Sequence, residues 1–279
     1  SEFRPGGTGG LANLTITEIV NPLVATISTG NALPPAVLIG AGGRVPPTKV
    51  IDDDASGDVE TSGSFDAMND GIDFYESLEG MRVQLNNAVA VGPTNGFGEV
   101  PVLVDAGSGA TLRSSRGGIV IAAHDFNPER VILDDLLQPV PAVNVNDAAA
   151  LVTGVLDYSF GNYKLLVTAA PVFLSGGLAP ETTAPASPGQ LTVASFNVEN
   201  LDPTDPANKF QALAAQIVSN LRAPDIVGLM EVQDNNGAMN DAIVDASTTF
   251  NTLIAAIQAA GGPAYQFRQI NPVDDQDGG

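Results

Sequence analysis

Cysteine is absent, histidine occurs once, and basic residues are scarce: 11 lysine and arginine side chains stand against 32 aspartates and glutamates. Without thiols there are no disulfides and no thiolate metal sites, which removes the usual sequence marker of an oxidising compartment without arguing against secretion. The one histidine, His124, reads as a strand-end residue. No run of eighteen apolar residues occurs, so no segment reads as a transmembrane helix and no membrane partner is expected. A net charge of −21 and a pI near 4.1 make the surface strongly negative. Phosphate backbones attract Lys and Arg, so this field repels nucleic acid, and an acidic protein acting on one needs divalent cations to screen the encounter. The simpler reading of the charge is solubility in a salty or cation-rich medium. The chain begins Ser1-Glu2-Phe3, which reads equally as a mature end after signal cleavage or as residues left by cloning.

What is present divides into two folded parts. Residues 1–10 are Gly-rich and read as a flexible N-terminus. Residues 11–174 read as mostly β, with short apolar and β-branched runs at 15–20, 36–39, 82–91, 100–104, 118–122 and 163–167 separated by Gly, Pro, Asn and Asp. Residues 74–80 read as one helical turn entering the strand at 82. Several such strands with long irregular insertions predict a small closed or partly closed barrel of OB type. Residues 175–190, with Pro180, Pro185 and Pro188 among Gly, Ala, Ser and Thr, read as a linker. No internal repeat is visible.

Residues 191–279 read strand, helix, strand. Leu191-Thr192-Val193-Ala194-Ser195-Phe196 is apolar until Asn197, and Ile226-Val227-Gly228-Leu229-Met230 is apolar until Glu231. Near-continuous apolar runs of this kind are the pattern of parallel strands buried on both faces. Between them Phe210, Leu213, Ala214, Ile217, Val218 and Leu221 form a helical stripe, with Asp205 as the expected N-cap, Pro206 in the first turn and Pro224 beyond the end. A crossover helix makes the two strands parallel neighbours and delivers Asn197 and Glu231 to one spot at the carboxyl ends, where open α/β sheets bind ligands. The plainer reading is a turn residue and a solvated strand end. A further helix over residues 247–260 is predicted from Phe250, Leu253, Ile254 and Ile257, ended by Gly261-Gly262-Pro263.

The strings Val193-Ala194-Ser195-Phe196-Asn197-Val198-Glu199-Asn200-Leu201 and Pro224-Asp225-Ile226-Val227-Gly228-Leu229-Met230-Glu231-Val232 resemble the opening of the endonuclease/exonuclease/phosphatase superfamily, the DNase I-like fold, and within it the secreted bacterial extracellular nucleases. Gly71-Ile72-Asp73-Phe74-Tyr75-Glu76-Ser77-Leu78-Glu79-Gly80, Ser115-Arg116-Gly117-Gly118-Ile119, Asp125-Phe126-Asn127-Pro128-Glu129-Arg130 and Gly154-Val155-Leu156-Asp157-Tyr158 resemble the OB-fold-like domain that precedes catalysis in the same nucleases. The resemblance implies a mixed β and α/β chain: an OB-like β-barrel followed by the N-terminal βαβ part of a DNase I-like α/β sandwich. It implies that Glu231 binds a catalytic Mg²⁺ or Mn²⁺, that Asn197 sits in the same phosphate and metal pocket, that DNA or RNA is the substrate, and that the protein is secreted. A hard cation on carboxylate oxygen polarises a phosphodiester and orients water for in-line attack.

The departure from the family is as informative. Residues 191–279 fall far short of the roughly 200–250 residues of a two-sheet domain of this kind, and the family's later catalytic histidines have no counterpart, His124 lying upstream of the motif. A catalytically incomplete portion of a nuclease is expected. The alternative is a non-catalytic acidic, β-rich module for binding, adhesion or assembly, whose open sheet edge pairs with another chain. Elsewhere Asp66, Asn69, Asp70 and Asp73 offer oxygen ligands around Gly71, a set suited to Ca²⁺, although Asx-rich turns also cap helices without metal. Asp274, Asp275 and Asp277 resemble a loop of the family and read by default as a charged chain end. Arg113, Arg116, Arg130 and Lys164 with Phe126, Tyr158, Phe160 and Tyr163 have the composition of a nucleic-acid platform, but aromatics in such strands more often pack inward.

Overall fold

Runs of Val, Ile, Leu and Ala become strands where two of them can pair, and most of the N-terminal half is built that way. The computed structural model describes residues 2–4 and 10–273 and falls into two units, Ser1–Leu178 and Ala179–Gly279. Ser1, residues 5–9 and the aspartates at 274, 275 and 277 lie outside the described residues.

In the first unit β1 (Glu2–Phe3) pairs with β2 (Ile16–Thr17). A seven-stranded sheet follows, made of β3 (Val37–Ile39), β4 (Arg82–Ala90), β5 (Val100–Leu103), β6 (Val131–Asp134), β7 (Ala148–Ser159), β8 (Asn162–Val167) and β9 (Phe173–Leu174). Its order is β3-β4-β5-β6-β8-β7-β9, and β4 pairs again with β7, so β4, β5, β6, β8 and β7 close into a five-stranded barrel. Within the barrel only β6 and β8 run parallel. Two short helices, α1 (Val59–Ser62) and α2 (Gly71–Glu76), precede it.

The predicted strands at 36–39, 82–91, 100–104 and 163–167 are present. The run at 15–20 shrinks to Ile16–Thr17, and residues 118–122 form only single bridges, Ile119 with Arg113 and Ala122 with Asp125. The helical turn lies three residues earlier than predicted, at Gly71–Glu76. Strands β6, β7 and β9 have no counterpart in the sequence reading. Strand β7 opens with Ala148, Ala149 and Ala150 and contains Gly154, residues of low strand preference that are held by pairing on both sides.

Closure explains several local choices. Along β4 the inward residues are Val83 and Leu85, then Ala88 and Ala90; the parity changes at Asn87, with φ 48°, while the pairing with β7 continues in register to Val89 and that with β5 begins there. At Gly154 a methyl group would come within 2.5 Å of the Leu166 carbonyl oxygen and 2.7 Å of the Leu165 side chain, so only glycine fits this inward position. Phe74 and Leu78 join Leu85, Leu133, Leu156 and Leu165 in the core.

The second unit holds β10 (Val193–Leu201), α3 (Ala207–Ala215) running into a π-helical stretch (Gln216–Asn220), β11 (Ile226–Val232) and α4 (Ser247–Ala259). Strands β10 and β11 are parallel, in register from Val193 opposite Ile226 to Asn197 opposite Met230. The predicted stripe packs as expected: Phe210, Leu213, Ala214 and Ile217 of the helix are buried with Leu253 and Ile257 of α4. Gly261, with φ 88°, ends α4; the Gly262 N–H donates to the Ile257 carbonyl and the Gly261 N–H to that of Gln258, a Schellman closure.

Two expectations are corrected here. Pro206 rather than Asp205 is the N-cap of α3; Asp205 instead accepts hydrogen bonds from the Asp202 N–H and from Lys209 Nζ. The two strands are not buried on both faces. Phe196, Val227 and Leu229 pack against the helices, while Val193, Ser195, Ile226, Gly228 and Met230 on the other side are exposed, because a two-stranded sheet covered on one face leaves its second face open. Part of the Pro-rich stretch is tied down: the Thr183 N–H donates to the Asn220 carbonyl, and Arg222 Nε donates to that of Thr183. Among the described residues no helix is long and apolar enough to cross a membrane.

Candidate carboxylate site at the parallel strand ends

The start of the parallel pair is fixed by one side chain. Asp225 accepts from both the Thr192 N–H and the Thr192 hydroxyl, at 2.8 and 2.7 Å, and these hydrogen bonds hold its carboxyl below the usual carboxylate range. Five residues on, the ladder breaks: after Asn197 the next pair is Leu201 with Val232, so β10 carries two extra residues. Glu199 and Asn200 on β10, and Glu231 on β11, have φ values of 55°, 53° and 60°. Non-glycine residues in this region cost about 1–3 kcal/mol each and persist only where their surroundings hold them.

Those surroundings are specific. Asn197 Oδ1 accepts from the Glu199 N–H at 2.7 Å, Gln233 Nε2 donates to Asn200 Oδ1, and Lys209 Nζ donates to the Glu199 carbonyl. Beyond Glu231, the Thr249 hydroxyl of α4 donates to the Gln233 carbonyl, and Asn235 Oδ1 accepts from the Thr248 N–H at the first turn of α4. The result brings the two predicted residues together: Asn197 Nδ2 donates to Glu231 Oε1 at 2.6 Å, with both side chains exposed. Asn197 thus has its carbonyl engaged by the backbone and its amide on the carboxylate. It positions Glu231, and Glu231 is the group with a free oxygen edge.

Glu231 also lines a cavity of about 340 Å³ with Asp234, Arg268, Gln269 and Asn271. Arg268 and Asp234 escaped the sequence reading. The signal that could have found Arg268 is the alternation after Pro263, where Tyr265, Phe267 and Gln269 are half-buried while Gln266, Arg268 and Ile270 are exposed. The Tyr265 hydroxyl donates to the Pro224 carbonyl, Phe267 stacks on Phe250 at 4.8 Å, and Gln269 Nε2 donates to Asp245. Together these lash the segment beside β11 and bring Arg268 to the Glu231 cavity.

The Asp66, Asn69, Asp70 and Asp73 group is an Asx turn leading into α2. Asp66 accepts from the Met68 N–H and from Asn69 Nδ2, and Asp73 accepts from the Asp66 N–H. Asp70 is buried with Oδ1 unpartnered; burial first, then the charges of Asp53, Asp52, Asp73 and Asp66, push its carboxyl up to about 6. Among the described residues no three of His, Cys, Asp or Glu are grouped to hold a metal.

The platform residues come together in part: Phe126, Arg130, Tyr158 and Tyr163 line one cavity of about 170 Å³, and Lys164 Nζ lies 5.1 Å from the Phe160 ring centre. Tyr163 stacks on Tyr75 at 5.5 Å and lies 5.0 Å from Tyr158. Lys164 is paired with Glu99 and Asp134, Arg113 donates to the Gly117 carbonyl and Asn146, and Arg130 donates to Asn162. His124 is exposed, with φ 62°, in the tight turn between the bridged residues Ala122 and Asp125 rather than at a strand end.

Residues 38–176, which take in all but the first residue of β3 and run through β9, match the family described as a domain of unknown function (DUF8508). No curated protein and no solved structure matches the chain.

Proposed function

We propose that this chain is a portion of a secreted, metal-dependent phosphodiester hydrolase of the extracellular nuclease type, joining an OB-fold-like barrel to the first βαβ segment of a DNase I-like domain. The observation that carries the reading is the 2.6 Å contact of Asn197 with Glu231 at the ends of two parallel strands. The donor set fits Mg²⁺ or Mn²⁺, which take carboxylate oxygen and keep several waters. An ion held there would supply charge to polarise a phosphodiester and to lower the pKa of a bound water. Glu231 is the ligand, Asn197 holds its carboxylate in place, and Arg268 in the same cavity offers bidentate contacts to a phosphate of DNA or RNA. Hydrolysis further requires a positioned base and an acid for the leaving oxygen, and the cavity supplies neither as a histidine. The exposed apolar face of Val193, Ile226 and Met230 supports a second sheet layer in the complete domain, and the barrel order, with its single parallel pair, supports the OB-type reading.

The test is digestion of plasmid and oligonucleotides with Mg²⁺ or Mn²⁺, with and without chelator. A longer polypeptide carrying the family's histidine-bearing strand ends should cleave, the 279-residue chain should not, and Glu231→Ala should abolish cleavage by the longer protein. Robust cleavage by the short chain that survives Glu231→Ala would put the chemistry elsewhere.

One observation favours the second reading, a non-catalytic assembly module. Between β11, Leu253 and Ile257 of α4, and Tyr265 and Phe267 lies a groove of about 460 Å³, a concave surface of mostly apolar side chains suited to a segment of another chain. Absence of cleavage by the longer polypeptide, with concentration-dependent association of this chain in sedimentation, would favour that reading.

A further inference from the structure

The turn at residues 125–129 buries more unpaired oxygen than any neutral account of it tolerates. Asp125, Asn127 and Glu129 alternate along the chain and are 5%, 8% and 3% exposed. Asp125 Oδ2, Asn127 Oδ1 and both carboxylate oxygens of Glu129 are buried with no hydrogen-bond donor. Buried carboxylates are otherwise paired or bound to metal, since an uncompensated one carries the full desolvation cost. Among the described residues no basic side chain is paired with these. Arg130, the adjacent cation, donates to Asn162, and Lys164 is held by Glu99 and Asp134. Protonating Glu129 would supply one donor and still leave the acceptors of Asp125 and Asn127 unmatched.

We propose that this turn binds a calcium ion through Asp125, Asn127 and Glu129. The donors are all hard oxygens, and a carboxylate, an amide carbonyl and a second carboxylate at alternate positions are the ligand types that calcium loops use, completed by main-chain carbonyls and water. Magnesium suits the place less well, because it demands near-ideal octahedral geometry, whereas calcium accepts more oxygens in a flexible arrangement. The backbone is set for the purpose: Asn127 has φ 55°, its carbonyl accepts from the Arg130 N–H, and the Phe126 N–H donates to the Lys49 carbonyl, which turns the side chains at 125, 127 and 129 inward while Phe126 stays exposed. Its residues belong to the first unit and are distinct from those of the Asp66 turn, whose Gly71 packs closely on Pro128.

The experiment uses the whole 279-residue chain, stripped with chelator and titrated with CaCl₂, then with Tb³⁺ as a luminescent probe excited through tyrosine. Saturating Ca²⁺ should raise the melting temperature of the first unit by roughly 5 °C, followed by the near-ultraviolet signal of Tyr75, Tyr158 and Tyr163. Glu129→Gln, which keeps the shape, and Asn127→Gly, which keeps the left-handed backbone, should each weaken binding by about tenfold or more. Asp66→Asn with Asp73→Asn should leave it intact. An unchanged Ca²⁺ response in both variants would overturn the proposal, as would its loss in the Asp66 and Asp73 variant instead. So would a wild-type chain that ignores Ca²⁺ while Glu129→Gln melts higher than wild type in chelator.

Discussion

Two buried carboxyls make this protein's acid response unlike that of most acidic proteins. Glu129 is raised from 4.5 to about 7 and Asp70 from 3.8 to about 6, each chiefly by burial. A carboxyl whose folded pKa is raised binds its proton more tightly in the folded state. Its contribution is therefore full below the unfolded value and is lost as pH rises through the folded one. In chelator, the stability of the first unit should fall between about pH 4 and 7, and Glu129→Gln should flatten the upper part of that fall; urea titrations across the range would show it. A flat profile in the wild type would mean that neither group is neutral in the folded chain. Asp147 works in the opposite sense: hydrogen bonds from the Asn144 and Gly176 N–H groups lower its pKa, so its share is lost only at still lower pH. At the strand-end site, Asn197 and Arg268 have different work. On the proposed nuclease reading, Asn197→Ala in the longer polypeptide should weaken metal affinity about 10–100-fold by releasing Glu231. Arg268→Ala should leave metal affinity unchanged and lower turnover, a contrast that metal titration and steady-state kinetics would separate.

At the scale of elements, the barrel rests on a few leucines rather than on its turns. Leu156 of β7 is fully buried. Leu156→Ala should cost about 2–5 kcal/mol, measured by denaturant unfolding of the first unit, because closure on both sides prevents the site from collapsing. The parts of the fold that sequence revealed are those whose period is their own. Of the stripe from Phe250 to Ile257 the buried members are Leu253 and Ile257, and the stripe from Phe210 to Leu221 and the glycine stop after α4 packed as their spacing dictates. So did the parallel pairing that sets Asn197 beside Glu231. Strand β7 was illegible because Ala148, Ala149 and Gly154 are strand residues only through their partners. The left-handed turn at Glu231 and the approach of Arg268 were illegible for a related reason: both follow from long-range contacts with Gln233, Pro224 and Phe250 that no local pattern encodes.

At the scale of the molecule, 32 acidic residues spread a net charge of −21 over two units with different internal logic. In the second unit, helices and strands alternate along the chain, so each can find its neighbour soon after it forms. In the first, the barrel exists only once β4 meets β7, pairing Arg82 with Val155 and Val89 with Ala148 across the whole of β5 and β6. That seam makes time a property of the fold. Bringing distant strands together precedes any reward for pairing them, and domains governed by such contacts fold in milliseconds to seconds, whereas those rich in local contacts are far quicker. After dilution from denaturant, the helical signal carried largely by α3 and α4 should therefore recover before the near-ultraviolet signal of Tyr75, Tyr158 and Tyr163. Coincident recovery of the two signals would count against a rate-limiting closure. During that interval the barrel strands have unpaired edges, and it is then, not in the finished protein, that mutual repulsion among so many negative charges does most to keep one chain from pairing with another.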